Sequence, residues 1–475
     1  MSFSQALSGL NAQSENLKIL GNNIANSQTV GFKSSGAIFA DVFAGANSQV
    51  GLGVKISDVR QDFTAGDLET SGRTLDLAVA GDGFYRVEQA SGEAAYTRNG
   101  QFSQDNQGFI VNAAGQRLTG YGLSDENDPF SEVVAGGAPQ ALRIPSNDIP
   151  AEATENVAAI YNLDASVVVG QPEGNTPIQS ATIVGGNGDE MDINYHYSNS
   201  YTVFDSLGNN HNVSTYFLKI DDNQWVSQVA VNGAVAGFTR ADGTTAGDNQ
   251  GPVTDYGTNS FGIRFDANGQ LPRNADNEIT AIVDVTVNAT TVPAVPPATV
   301  PTTTTTTTFA PLPGAALAGV TFTPDGGANA VNFNLDLKGT TQFNNSSVQN
   351  TLTQDGYSSG SLSGLEVTRE GRVIRIYTNE ERRDAGQIVL ANFANEEGLQ
   401  SIGDNAWRET NASGIGIIGT AGTGVFGTIE SGVLENSNVD LAKQLVDTIV
   451  AQRAYQANST SISTQDELLQ TIINL

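Results

Sequence analysis

The chain has 475 residues, 51 acidic against 22 basic for a formal net charge of -29, with charged residues only 15% of the whole and 52 glycines. That length is ample for several buried cores; an acidic balance spread along the chain excludes a basic groove for nucleic acid. Cysteine is absent, which excludes disulfides, thiolate metal sites and thiol chemistry, and no run approaches the roughly 18 apolar residues of a membrane span.

Residues 2–26 read as an amphipathic helix. Residues 2–5 form a capping-box pattern, and Phe3, Leu7, Leu10, Leu17 and Ile24 recur at four-three spacing, with Ser14 and Gly21 at the intervening positions. The first 17 residues hold no continuous apolar run of the kind a secretory signal needs, so export without a cleaved signal peptide is one expectation and a cytoplasmic chain the other. ANSQTVGFK, residues 25–33, ends the helix and completes a first segment, 1–33; residues 34–74 read as an extended linker with a strand or two.

From Leu75 short β-prone runs alternate with Asn-Gly, Asp and Gly turn signals. Residues 75–149 together with 351–432 are expected to form one β-rich domain, with one or two further β domains inserted at 150–350. Strand candidates there are 165–169, 201–204, 213–220, 225–231, 261–265, 279–287 and 331–337. Residues 292–313 are Pro- and Thr-rich, with seven consecutive Thr at 302–308; proline cannot join a central ladder, so an exposed loop or stalk is expected.

After Gly432 no Gly follows, and residues 439–475 read as one long helix within a closing segment, 433–475, started by Ser437, Asn438 and Asp440. Leu441, Leu445, Ile449, Tyr455, Ile462, Leu469 and Ile473 form its apolar stripe, while Thr448, Gln452, Ser459 and Asp466 make the seam too polar for an isolated two-helix coil. The fold class is therefore mainly β with α-helical termini: a nested multidomain chain whose end helices pair as a coiled-coil-like layer around inserted β-rich domains.

No catalytic constellation emerges. Residues 356–360 match G-x-S-x-G as a string, but both histidines, His196 and His211, precede Ser358, and no helix pattern follows. Residues 414–419 match G-x-G-x-x-G, yet the glycines that come next forbid the helix that would face a pyrophosphate. The EF-like start at Asp266 has its Gly misplaced, and two histidines fifteen residues apart make no zinc site. Neither enzyme activity, cofactor nor metal is expected.

Three stretches, ANSQTVGFK, GDLETSGRTLDLAVAGDGF at 66–84 and residues 437–475, together resemble the hook and rod group of bacterial flagellar axial proteins. The residues that carry the motifs are Asn26, Gly31, Phe32, Lys33, Leu75, Asp76, Gly81, Gly83 and Phe84. VFDSLGNNHNV at 203–213, LTQDGYSSGSLSGL at 352–365 and GQIVLANFANEEGL at 386–399 look like hook members, whereas rod members are much shorter. The resemblance implies a helical homopolymer, a curved tube acting as a flexible coupling between motor and filament, with paired terminal helices inside and β domains outside. It further implies partners in the distal rod, the hook cap, the hook-filament junction proteins and the flagellar type III export apparatus, an extracellular location, and no membrane insertion. A rod or other axial filament subunit is the alternative; a secreted β-rich adhesin suits the composition but leaves both end helices unexplained.

Overall fold

The computed structural model describes residues 3–473 apart from 43–50, 127, 129, 170–177, 186–187, 189, 240–244, 247–259, 274–281, 293–301, 312–316 and 325–326. The chain divides into two compact units, residues 1–147 with 361–475 and residues 148–360.

The first unit opens with helix α1, Phe3–Ala25, followed by an antiparallel hairpin of strands β1, Ser35–Asp41, and β2, Val54–Gln61. A twelve-stranded antiparallel sheet then carries the β core. Strands Arg382–Asn392, Arg117–Tyr121, Phe84–Glu88 and Ala94–Thr97 are its central neighbours, so segments on either side of the insertion pair within one sheet. Leu77, Val87, Leu118, Ile388 and Leu390 are fully or almost fully buried at its centre, each contributing roughly 1.5–3 kcal/mol of transfer free energy. A second, aromatic cluster gathers Phe63, Phe84, Tyr96, Phe393 and Trp407, with edge-to-face contacts of Phe63 to Phe84 at 5.5 Å and to Trp407 at 5.4 Å. The unit closes with helix α2, Leu441–Ile473, 33 residues and so about 50 Å long. Among the described residues no helix is long and apolar enough to cross a membrane.

The second unit holds a seven-stranded and a nine-stranded sheet. Strand Asn156–Asp164 pairs parallel with Val331–Asp336 and Thr341–Phe343, and antiparallel with Val348–Gln354. Strands Asn210–Asp221 and Gln224–Val231 form a long hairpin in the other sheet. Tyr161, Phe217, Trp225 and Phe333 lie in one core cluster, where the indole N–H of Trp225 donates to Gln342 Oε1 at 2.9 Å.

Several expectations are corrected. Residues 165–169 are turn rather than strand: Asp164 accepts hydrogen bonds from Ser166 N and Oγ at 2.8 and 2.7 Å, and this local turn ends the ladder. Of the segment 292–313, residues 293–301 and 312–313 lie outside the described residues, and the Thr tract is strand rather than loop or stalk: Thr302–Pro311 pairs antiparallel with Ile282–Val292 in unbroken register. Threonine is β-branched and favours extended backbone, and Pro311 is tolerated because the strand terminates its sheet. Ser2 of the capping box lies outside the described residues, and at α2 the cap is Asp440, whose Oδ1 accepts from Lys443 N at 3.1 Å. Residues 356–360 bridge to 149–152 with no helix after them, while Ile417–Thr420 within the second glycine run is a strand.

Candidate assembly interface

Helices α1 and α2 pack antiparallel. Asn23 Nδ2 donates to Gln444 Oε1 at 3.2 Å, and at the other end Gly9 lies against Asn458, where an added Cβ would stand 2.8 Å from Nδ2. Fourteen residues separate these contacts on each helix, so one register holds throughout. On α1 the inward row is Ala6, Gly9, Gln13, Asn16, Leu20 and Asn23; on α2 it is Gln444, Thr448, Ala451, Tyr455, Asn458, Ile462 and Gln465, all at least half-buried on strict three-four spacing. Small side chains let the axes approach and amides fill the seam, leaving it poor in apolar contact.

The seam therefore does not follow the apolar stripes read from the sequence. Of the α1 stripe, Leu10, Leu17 and Ile24 are half-buried and Phe3 and Leu7 exposed; of the α2 stripe only Tyr455 and Ile462 sit on the seam, while Leu441, Leu445, Ile449 and Leu469 are exposed. The side chain of Ile473 lies outside the described residues. The cause is that α2 has two faces: an inward polar and small one, and an outward row of Leu441, Leu445, Val446, Ile449 and Val450, each between 46% and 61% exposed. Five large aliphatic side chains clustered over three turns leave an exposed apolar face on α2.

The helix pair is fixed to the β core by a buried ionic cluster. Lys33 and Glu435 are both fully buried, with Nζ 2.6 Å from Oε1; Lys33 Nζ also donates to Thr64 O at 2.6 Å, and Gly66 N donates to the same Glu435 oxygen at 3.0 Å. Arg98 approaches Glu435 Oε2 at 3.5 Å and donates to Gly81 O at 3.0 Å. Burial pulls the Lys33 ammonium below its ordinary range, Glu435 opposing that shift without cancelling it. Asn438, just before α2, accepts from Ser34 N at 2.8 Å and donates to Asp62 O at 2.8 Å, tying the start of α2 to the chain leaving α1. Hairpin β1–β2 is held to α1 through Gln5 Nε2, which donates to Gly51 O at 2.6 Å, and through Asn23, which bonds Ser35 at both N and O.

Of the motif residues, Gly31, Lys33, Gly81 and Phe84 touch this anchor and the others lie at the end of α1 or on the β core. Asn26 bonds Asn22 at the end of α1 and accepts from Thr29; Gly31 has φ +69°, and any Cβ there would meet Asn99 N at 2.6 Å. Phe32 is half-buried beside Lys33, and Leu75 packs on the main core. Asp76 O accepts from Gly432 N at 2.8 Å; Gly81 lies against Gly427, Gly83 against Leu390, and Phe84 centres the aromatic cluster under Arg98. Glu435, Arg98 and Gln444 escaped the sequence reading, and Asn438 was read only as part of the start of the last helix. Lys33 was the available clue, as the lone charge in the uncharged run 25–33, and it requires a buried counter-ion.

Among the described residues no group of three metal-ligating side chains occurs. A buried acid–imidazole contact lies in the second unit: Asp205 Oδ2 is 3.1 Å from His211 Nε2, while Asn232 faces His211 Nδ1 at 2.9 Å. Burial pushes the Asp205 carboxyl up, but hydrogen bonds from Asn209, His211 and Leu207 outweigh it and bring it down to about 2. With Leu207 N and Asn209 N both donating to Asp205 Oδ1, the group organises a turn.

Comparison with known proteins matches four family models along the chain: "Flagella basal body rod protein" at residues 4–33, "Flagellar hook protein FlgE/F/G D1 domain" at 78–158, "Flagellar basal body protein FlaE D2 domain" at 174–357 and "Flagellar basal body rod FlgEFG protein C-terminal" at 430–475. The chain is 38% identical to the flagellar hook protein FlgE of Salmonella typhimurium and 39% identical to that of Escherichia coli, in each case over 100% of both chains. It is 32% identical to the hook protein of Borreliella burgdorferi over 100% of this chain and 99% of the relative. With identity at this level running from end to end, through both terminal helices and the β core they anchor, the chain belongs to the flagellar hook protein family.

Proposed function

We propose that this chain is the structural subunit of a flagellar hook, self-assembling into a curved flexible tube that transmits torque from the rod to the filament. The observation that carries the reading is the outward apolar face of α2 on a helix whose inward seam is polar. A 33-residue helix with so little apolar seam is marginal on one partner; burial of the outward row against neighbouring copies supplies the missing term. Covering the roughly half of each Leu, Ile or Val side chain still exposed in the subunit contributes about half of the roughly 1.5–3 kcal/mol of full burial, set against the entropy of ordering the ends. Contacts between unlike patches of identical copies propagate as an open helical assembly when the rotation between copies does not close a ring.

On this reading the apolar stripes of the two helices serve helix pairing and the polymer interface and divide by role: Tyr455, Ile462, Leu10, Leu17 and Ile24 hold the subunit together, while Leu441, Leu445, Ile449 and Leu469 meet neighbours. The terminal helices form the inner layer and the β-rich parts, 75–149 with 351–432 and the insertion at 150–350, the outer ones. Its role is mechanical rather than enzymatic. Its partners are further copies of itself, the distal rod, the hook cap, the junction proteins and the export apparatus that delivers it outside the cell without signal cleavage. Negative-stain microscopy of concentrated purified protein tests the reading: curved tubes are expected, straight filaments would favour a rod-type subunit, and monodisperse particles at every concentration would refute self-assembly.

A further inference from the structure

The hairpin formed by strands Ile282–Val292 and Thr302–Pro311 ends the nine-stranded sheet of the second unit. Strand Ser260–Arg264 covers only the base of the hairpin, pairing at Ile282, Val283 and Asp284. Beyond that point, among the described residues, no strand pairs with the free edge of 285–292 or with the outer edge of 302–311. Among the described residues the result is a two-stranded ribbon whose two outer edges pair with no further strand.

Sheet edges of this length are normally guarded by charge, proline, a bulge or a covering element. This ribbon has none of the first three where it is free: residues 285–292 read VTVNATTV, residues 302–309 read TTTTTTTF, neither segment carries a charge or a proline, and the register between them is unbroken. The two edges are also different surfaces on opposite sides of one ribbon, which is what a head-to-tail contact requires; a closed dimer would need only one. Because the ribbon is itself antiparallel, a copy displaced sideways in the same orientation brings its 285–292 edge antiparallel against the 302–309 edge of the first.

We propose that this ribbon is a main-chain interface between copies, residues 285–292 of one subunit pairing with the Thr strand of the next to continue the sheet from copy to copy. The inference rests on the polymer reading above and adds to it a specific contact in the inserted unit. Seven identical residues make the register degenerate: a shift of two residues, about 6.8 Å along the strand, restores the same pairing with the same residue type. The contact can therefore change register without losing hydrogen bonds, a property suited to a tube that bends.

The absence of native cysteine makes the test direct. Full-length Asn288→Cys chains are co-assembled with chains carrying a single Thr303→Cys, Thr304→Cys, Thr305→Cys, Thr306→Cys or Thr307→Cys, then mildly oxidised and run without reductant. Tubes are scored by microscopy on the same samples. The expected result is disulfide-linked dimers at two or more Thr positions two residues apart, well above a control pairing with Asn268→Cys on an exposed turn. Tubes whose cross-linking never exceeds the control would overturn the ribbon contact and leave the polymer reading standing; failure of the parent chain to form tubes would overturn both. As a second measurement, Thr303→Lys with Thr305→Lys is expected to raise the critical concentration for assembly severalfold by guarding the edge, and an unchanged value would count against the proposal.

Discussion

Replacing Glu435 by Gln probes the anchor most sharply, because Glu435 is the buried carboxylate in direct contact with both Lys33 and Arg98. It meets Lys33 at 2.6 Å and Arg98 at 3.5 Å, with Lys33 and Glu435 fully buried and Arg98 nearly so. Losing the central partner leaves two uncompensated cations in low dielectric, which typically costs about 3–5 kcal/mol. Lys33→Met, by contrast, leaves Glu435 facing Arg98 as a neutral pair and costs less. Only two tryptophans occur, Trp407 in the first unit and Trp225 in the second, so urea unfolding followed by Trp407 fluorescence in a Trp225→Phe background reports the first unit alone. With a slope of about 1–3 kcal/mol per molar urea, the Glu435→Gln midpoint is expected to fall by about 1–2 M or more. The loss has a defined pH dependence. Lys33 already has a folded-state pKa below its unfolded value, so the unfolded chain binds more protons in that window and stability rises with pH; removing the counter-ion deepens the effect, and the deficit shrinks as pH approaches 10. A midpoint change within error, or a larger loss from Lys33→Met than from Glu435→Gln, would refute the assignment of Glu435 as the keystone.

Further outcomes follow from the geometry. Gly9→Ala adds helix propensity of about 1 kcal/mol but sets a Cβ 2.8 Å from Asn458; overpacking of about 1–3 kcal/mol wins, so hydrogen exchange along α2 accelerates, and Asn458→Ala in the same chain restores protection. If Gly9→Ala slows exchange instead, the seam is misplaced. The second unit loses stability as pH falls from the ordinary carboxylate value toward 2, because the lowered pKa of Asp205 contributes only while the carboxylate is charged. An Asp205→Asn chain, monitored through Trp225, is expected to be less stable at neutral pH and to lack that part of the acid transition; an identical acid profile would exclude Asp205 as its source.

The two end helices and the alternation of the β segments were legible because period 3.6 and period 2 patterning survive wherever a segment buries one face within its own fold. The strand candidates at 213–220 and 225–231 lie inside the hairpin Asn210–Asp221 and Gln224–Val231 for that reason. The helix seam was not legible. A search for apolar periodicity selects Leu441, Leu445 and Ile449, but in the single chain those residues face outward, while Gln444, Thr448 and Asn458 face α1. Periodicity records which face is apolar and is silent on which molecule covers it. The same holds at the anchor: Lys33 is visible as an isolated charge, but Glu435 lies 402 residues away and is brought there by tertiary pairing, including that of strand Leu68–Thr70 with Val433–Glu435. The Thr tract misled because its flanking prolines signal a loop, while the threonines between them favour extended, paired backbone.

The central claim is that the outward row of α2 is covered by neighbouring copies. Its most direct test is negative-stain microscopy of a full-length chain carrying Leu445→Asp and Ile449→Asp, alongside circular dichroism of the same sample. Both side chains are about half exposed in the single subunit, so the account predicts an intact β spectrum, an intact α1–α2 pair and no tubes at any concentration that assembles the parent. Curved tubes of normal dimensions from that variant would contradict it.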